Sequence, residues 1–358
     1  MFHRFTPIIA AALAVALIQL SGCKDPEDNE PADTFDKEAM LTNLADNVIM
    51  PAYTQLADDA NTLKSAIDAL QADPSNTQRD VAREAFVTLQ LQWQRCAPFE
   101  FGPAADENLR RTANTFPTDT AQIERNIREG NADLSTASNT DAKGLPALDY
   151  LLFGPRSQEG DWSADRLEQL SVNIDLLVEE FTTVNDAWQN SYRDEFVKNL
   201  GNDVGSALGQ LVNELNYEFE LVKNARVGIP LGKKSLGVPQ EEKVEAYYAE
   251  RSLDCINAAL TAQQNTFKGG EGLGLDDYLD HLDARYGEGM LSAAIVEQFD
   301  ECLSNTNAIA STLPDAILNS SGQVEELHTS LQNLVVLLKT DMPSQLGVQI
   351  TYQDNDGD

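Results

Sequence analysis

Residues 144–154 read GLPALDYLLFG, an apolar stretch with a single acid, Asp149. An acid in such a run is either a contact for a metal or substrate, or a first-turn charge that suits the helix dipole. Pro146 has no N–H and fits the first turn of a helix that starts near Gly144. Leu148, Leu151, Leu152 and Phe153 are then left to bury. Asp277 stands four residues before His281, so the two share one helical face. Such a pair serves as two metal ligands or as a surface hydrogen bond. Glu100 is held between aromatics and prolines in PFEFGP. Arg226 opens RVGIPLGKKSLGVPQEE, and Glu245 and Ser252 follow in VEAYYAERSL. Arg226 is placed to pair with an acid from that second stretch. Each of these residue types also serves in caps, turns and surface charges. His328, with Glu325 and Glu326 beside it on an amphipathic pattern, reads as exposed. No His-Glu-x-x-His zinc-peptidase motif and no Gly-x-Ser-x-Gly elbow occurs. The DNDGD ending starts like a calcium loop but lacks the downstream Glu.

Charge narrows the partners. The chain has 25 basic and 58 acidic residues among 358, a formal net charge of -33. Phosphate backbones are held by basic patches, so nucleic acid is excluded as a partner. Cations, cationic partners or plain solubility fit the acid excess.

The first 22 residues read as an export signal: Arg4, then an apolar run from Ile8 to Leu20, too short to span a bilayer. It ends Leu20-Ser21-Gly22-Cys23, which resembles a bacterial lipobox with Cys23 as the lipidated residue. Residues 23–36 are polar and acidic and read as a tether. The expected location is the bacterial cell envelope, lipid-anchored, at the outer membrane facing the periplasm. Three later cysteines remain, Cys96, Cys255 and Cys302, in a compartment where disulfides form. Three is odd, so one stays unpaired. Cys255 and Cys302 fall on neighbouring predicted helices and are the expected pair.

The elements that must position these residues are helical. Apolar residues recur at three, four and seven: Leu56, Leu63, Ile67 and Leu70, then Leu167, Leu170, Ile174, Leu177 and Phe181, then Leu327, Leu331, Leu334 and Leu338. Leu41, Leu44 and Val48 lead into the first of these stripes, and Pro51 is expected to kink or break that helical run near Met50; the next helix is predicted over about 76–96. Further ones are predicted near 240–267, 275–286, 290–312 and 322–341. Strand alternation is nearly absent, so the fold class is all-α, built as helical bundles. Three long connections, 96–119, 226–242 and 268–277, interrupt the helices; such loops are often functional. GLPALDYL (144–151) and GLGLDDYL (272–279) agree at five of eight places. With similar helices around each, they suggest a duplication. An N-terminal bundle over 37–195 and a C-terminal bundle over 196–358 are expected.

Taken together, NVIMPAYTQL, PFEFGPA, GLPALDYLLFG, RVGIPLGKKS and GLGLDDYLDHL, in this order, resemble the imelysin-like family. The likeness covers roughly residues 37–358. It implies two packed bundles with a pocket between them, in an envelope lipoprotein linked to iron acquisition. The founding member is described as an insulin-cleaving membrane protease. The family hallmark, Gly-x-His-x-x-Glu, falls here on Gly144, Pro146 and Asp149, so the His is missing and the acid is shorter. A His–carboxylate pair suits zinc or iron, whereas carboxylates alone suit harder ions. The resemblance therefore implies a non-enzymatic binding protein for iron or another metal, with a metallopeptidase or an envelope interaction module as alternatives. The pocket residues it implies are Glu100, Pro146, Asp149, Arg226, Glu245, Ser252 and Asp277, with Asp149, Asp277 and His281 as metal candidates. The partners it implies are the membrane, through the lipid, and another envelope protein.

Overall fold

Helix-forming periodicity and side-chain caps set the framework. The computed structural model describes residues 35–130 and 133–351. The export signal, Cys23 with most of its tether, and the DNDGD ending lie outside the described residues. α1 (Lys37–Leu44) starts where the Asp36 carboxylate accepts the N–H of Ala39 at 2.9 Å. Pro51 does not break the chain. A wide π turn, Ala45–Ile49, carries α1 directly into α2 (Met50–Ala72). An inserted residue accommodates the missing donor and the ring clash of proline. α3 (Asn76–Cys96) is capped by Ser75. There follow α4 (Thr120–Glu129), α5 (Gly144–Phe153), α6 (Ala164–Ala187) and α7 (Ala207–Leu221). The chain then forms α8 (Ser252–Lys268), α9 (Leu275–His281), α10 (Leu291–Asn307) and α11 (Ser321–Val336).

α2 packs along α3 and α6, and α5 lies on α3 and α6. On the other side, α10 packs between α8 and α11. The two groups meet where α3 runs along α8, and from Asp36 onward the helices pack as one unit. The predicted stripe on α6 is buried throughout: Leu167, Leu170, Ile174, Leu177 and Phe181 are each at most 4% exposed. Each such side chain contributes roughly 1.5–3 kcal/mol relative to exposure. Trp93 of α3 stacks on Phe181 at 5.9 Å between ring centroids.

Four sequence expectations need correction. First, the helix predicted from 240 begins only at Ser252. Ala246 and Glu250 there adopt φ of 50° and 59°, a left-handed conformation that no L-residue helix continues through. Second, the helix predicted over 275–286 ends at His281, and a minimal antiparallel hairpin follows, β1 (Arg285–Tyr286) with β2 (Gly289–Met290). Third, Cys255 and Cys302 do not pair; with Cys96 they are buried free thiols. Cys255 faces Gln90 and Glu245 at the α3 seam, whereas Cys302 faces Gln298 and Ser330 on the α10–α11 side. Burial, which disfavours the thiolate, pushes Cys302 up to about 12 and raises Cys96 and Cys255 further. Fourth, His328 is buried rather than exposed, against Gly228. Burial first, and Lys233 second, hold its pKa below the ordinary value.

Candidate functional site

The site is organised around Arg226. After α7 the chain continues as a π turn, Val222–Gly228. Its wider pitch turns Arg226 into the interior, where the residue is 2% exposed. The guanidinium Nη1 donates to Glu218 Oε1 at 2.7 Å and Nη2 to Gln94 Oε1 at 2.9 Å. Nε donates to Glu245 Oε2. The other oxygen of Glu245 accepts amide N–H groups from Gln90 at 2.9 Å, Gln94 at 2.7 Å and Asn114 at 2.7 Å. Ser252 secures the same residue from behind, its hydroxyl donating to the Glu245 carbonyl at 2.6 Å. Burial alone would lower the Arg226 pKa, but the Glu218 and Glu245 carboxylates outweigh it and hold the cation fixed. Buried charge is tolerated because all three Arg226 nitrogens and both Glu245 oxygens are hydrogen-bonded.

A cavity of about 360 Å³ opens beside this network. Trp93 of α3 and Glu100, Arg110, Asn114 and Phe116 of the 97–119 connection form one side; Tyr217 of α7 and Arg226 form the other. Arg110 Nη2 donates to Glu214 Oε2 at 3.1 Å and to the Ala97 carbonyl at 2.9 Å, and its guanidinium lies over Tyr217. Both oxygens of Glu100 accept the Arg110 backbone N–H, at 2.9 and 3.0 Å. Burial pushes the Glu100 carboxyl up to about 7, against the opposing pull of Arg110.

A second cavity, about 310 Å³, lies across Phe116, which lines both. Pro146, Asp149, Thr118, Tyr247 and Tyr248 line it too. Asp149 is 3% exposed and sits in the middle of α5 rather than in its first turn. Its carboxylate accepts the backbone N–H of Tyr248 at 3.0 Å and of Ala249 at 2.8 Å. Burial nevertheless pushes its carboxyl up to about 7. The motif acid thus holds the irregular 229–251 segment that walls this cavity. Gly144 has φ of +75°, and a Cβ there would lie 2.4 Å from the Ala113 carbonyl oxygen. The glycine therefore lets α5 start against the loop that carries Asn114. Its N–H donates to Asn173 Oδ1 at 3.0 Å.

Of the residues singled out by sequence, Glu100 and Arg226 line the first cavity and Pro146 and Asp149 the second, with Glu245 and Ser252 in the network joined to Arg226. Asp277 and His281 line neither cavity. Asp277 caps its own helix, accepting the Gly274 N–H at 2.9 Å, so the two repeated stretches use their acids differently. Sequence reasoning missed Gln90, Gln94, Asn114, Arg110, Glu214 and Glu218. A signal was present for two of them: Gln90 and Gln94 are four apart on one helical face, each directly after a large apolar residue, Leu89 and Trp93.

A resident metal does not fit these residues. Among the described residues no three His, Cys, Asp or Glu side chains group as a metal site, and Asp149, Asp277 and His281 form none. The carboxylates of Glu218 and Glu245 are already committed to guanidinium and amide donors.

Comparisons with known proteins agree with this architecture. A family model described as imelysin, peptidase M75, matches residues 49–340. Iron-regulated protein A of Synechococcus elongatus is 21% identical over 298 residues, which is 78% of this chain and 78% of that protein. A crystal structure of an iron-regulated protein A precursor from Parabacteroides distasonis matches with a TM-score of 0.73 at 19% identity, covering 87% of this chain and 95% of that one. An imelysin-like protein from Psychrobacter arcticum matches with a TM-score of 0.71 at 18% identity, covering 88% and 97%. The two structures share the all-α fold described above.

Proposed function

This chain belongs to the imelysin family, and on that premise we propose that it is a non-enzymatic binding protein of the bacterial cell envelope, serving iron or other metal uptake. It is held at the membrane by lipid on Cys23, at the outer membrane facing the periplasm, and hands its ligand to an envelope partner. The observation that carries this reading is the cavity beside Arg226, whose walls come from both halves of the chain and whose charged groups are fixed by one another. Fixed donors and acceptors around a preformed cavity suit binding. The names of the relatives point to iron. Peptidase chemistry has less support: the motif position that carries His in the family is Pro146, and both Asp149 oxygens accept backbone N–H groups.

Calorimetric titration of the purified protein with ferric species, free and chelated, and with ferrous, copper, zinc and haem species tests the proposal. Binding of at least one of them is expected; binding of none removes it. Incubation with unfolded proteins and added metals tests the alternative. Cleavage that is abolished by Asp149→Ala would replace a binding function with a peptidase.

A further inference from the structure

We infer that the cavity beside Arg226 is built for an uncharged ligand: a neutral ferric chelate of the hydroxamate type, rather than bare iron or an anionic complex. The inference rests on the iron-linked reading above and adds the chemical class of the ligand.

Charge is the first ground. The two deep cations of the wall already lie against carboxylates, although Arg110 Nε and Glu218 Oε2 face each other without a hydrogen bond. Arg226 pairs with Glu218 and Glu245, and Arg110 pairs with Glu214 and approaches Glu218 at 3.5 Å. An entering metal cation would meet two fixed guanidinium groups. An entering anion would meet carboxylates that cannot turn away without leaving Arg226 unpaired. Past Arg111, which is exposed at the rim, either ion would lose its hydration without gaining an uncommitted counter-charge. The Glu100 carboxyl, pushed up to about 7 by burial, carries less than its ordinary charge and fits the same balance.

Unused hydrogen-bonding capacity is the second ground. Trp93, 1% exposed, has an indole N–H with no partner, and Asn114, 7% exposed, has a carbonyl oxygen with none. Both residues belong to the cavity wall. Buried polar atoms left unsatisfied are costly, and a ligand that satisfies them recovers that cost. The fitting molecule presents an acceptor to Trp93 and a donor to Asn114, with an apolar flank toward Phe116 and Tyr217. Three hydroxamates, each a monoanionic oxygen–oxygen chelator, cancel the charge of ferric iron. Their oxygens accept from an indole N–H, and the N–H of a simple hydroxamate donates to an amide oxygen.

The test titrates the purified protein in parallel with ferric tris(acetohydroxamate), ferric citrate and ferrous ion. The neutral chelate is expected to bind at least tenfold more tightly than the other two. Trp93→Phe keeps an aromatic ring toward Phe181 while removing the indole N–H together with part of the ring, so it should weaken the chelate at least about five- to tenfold. Thr115→Trp fills the cavity from its rim and should abolish binding even if the Trp93 variant proves unstable. Equal or tighter binding of ferric citrate or ferrous ion overturns the inference while leaving the iron-linked function standing. Unchanged chelate affinity in a folded Trp93→Phe or Thr115→Trp protein places the ligand elsewhere and overturns it too. Binding of none of the three overturns it, and the wider metal and haem titration then decides the function separately.

Discussion

Replacing Glu245 by Gln removes one charge and exchanges one oxygen for an NH2 group. The Glu245 side chain is 1% exposed, so water cannot compensate. One of its oxygens collects amide N–H groups from Gln90, Gln94 and Asn114, and the other takes Arg226 Nε. Whichever way a Gln amide turns, its own N–H groups face donors. If they face the three amides, those donors lose their acceptor; if they face Arg226, the cation keeps only Glu218 and Gln94. Breaking a buried pair on one side costs about 3–5 kcal/mol. At about 2 °C per kcal/mol for a chain of this size, the melting temperature should fall by roughly 6–10 °C. Circular dichroism melts of the wild type, Glu245→Gln, Arg226→Met and the double variant give the assay. The double-mutant cycle should show a coupling of about 1.5–3 kcal/mol, because once Arg226 is gone the Glu245 charge itself becomes a liability. A shift below about 1 °C in Glu245→Gln, or additive effects in the cycle, would refute the reasoning.

Three further outcomes follow from the same geometry. Asp149 has a carboxyl raised to about 7 by burial, so the folded chain keeps a proton that the unfolded chain releases near pH 4. Its contribution is therefore full below pH 4 and is lost as the pH rises through 7. Melting temperature should fall less steeply over that window in Asp149→Asn than in the wild type, by the equivalent of about 2–4 kcal/mol; equal slopes contradict the burial argument. Gly144→Ala places a Cβ 2.4 Å from a backbone oxygen at positive φ and should cost at least about 2 kcal/mol in urea unfolding, whereas a loss under 0.5 kcal/mol would show that α5 can retreat from the loop. In a Cys23→Ser chain, thiol titration should find three free groups, Cys96, Cys255 and Cys302, reacting readily only after denaturation; a single free thiol would restore the disulfide.

The all-α class was legible because helical stripes such as that of α6 depend on local spacing, which the sequence displays directly. Several residues of the candidate site also stood out, since Glu100, Arg226, Glu245 and Asp149 stand in short, unusual contexts. What the sequence could not display is which side chain answers which. Glu245 is fixed by Gln90, Gln94 and Asn114, more than 130 residues away along the chain, and no local period announces such a partnership. The same blindness explains the helix predicted through 240–251. The periodic residues there are real, but the N–H groups of Tyr248 and Ala249 go to Asp149 on another helix instead of to their own turn. At Pro51 the sequence marked the place but not the form of the interruption, which is a π turn with one extra residue rather than a chain break.

The most direct test of a binding site beside Arg226 is a calorimetric titration of the wild type and Thr115→Trp with the same ferric chelate. Thr115 lines the cavity, and its hydroxyl donates only to the nearby Arg111 carbonyl, so a tryptophan there fills the space without disturbing Glu245. The predicted result is saturable one-to-one binding in the wild type and none in the variant, with both proteins folded. Identical isotherms for the two, or no heat from either, would contradict it.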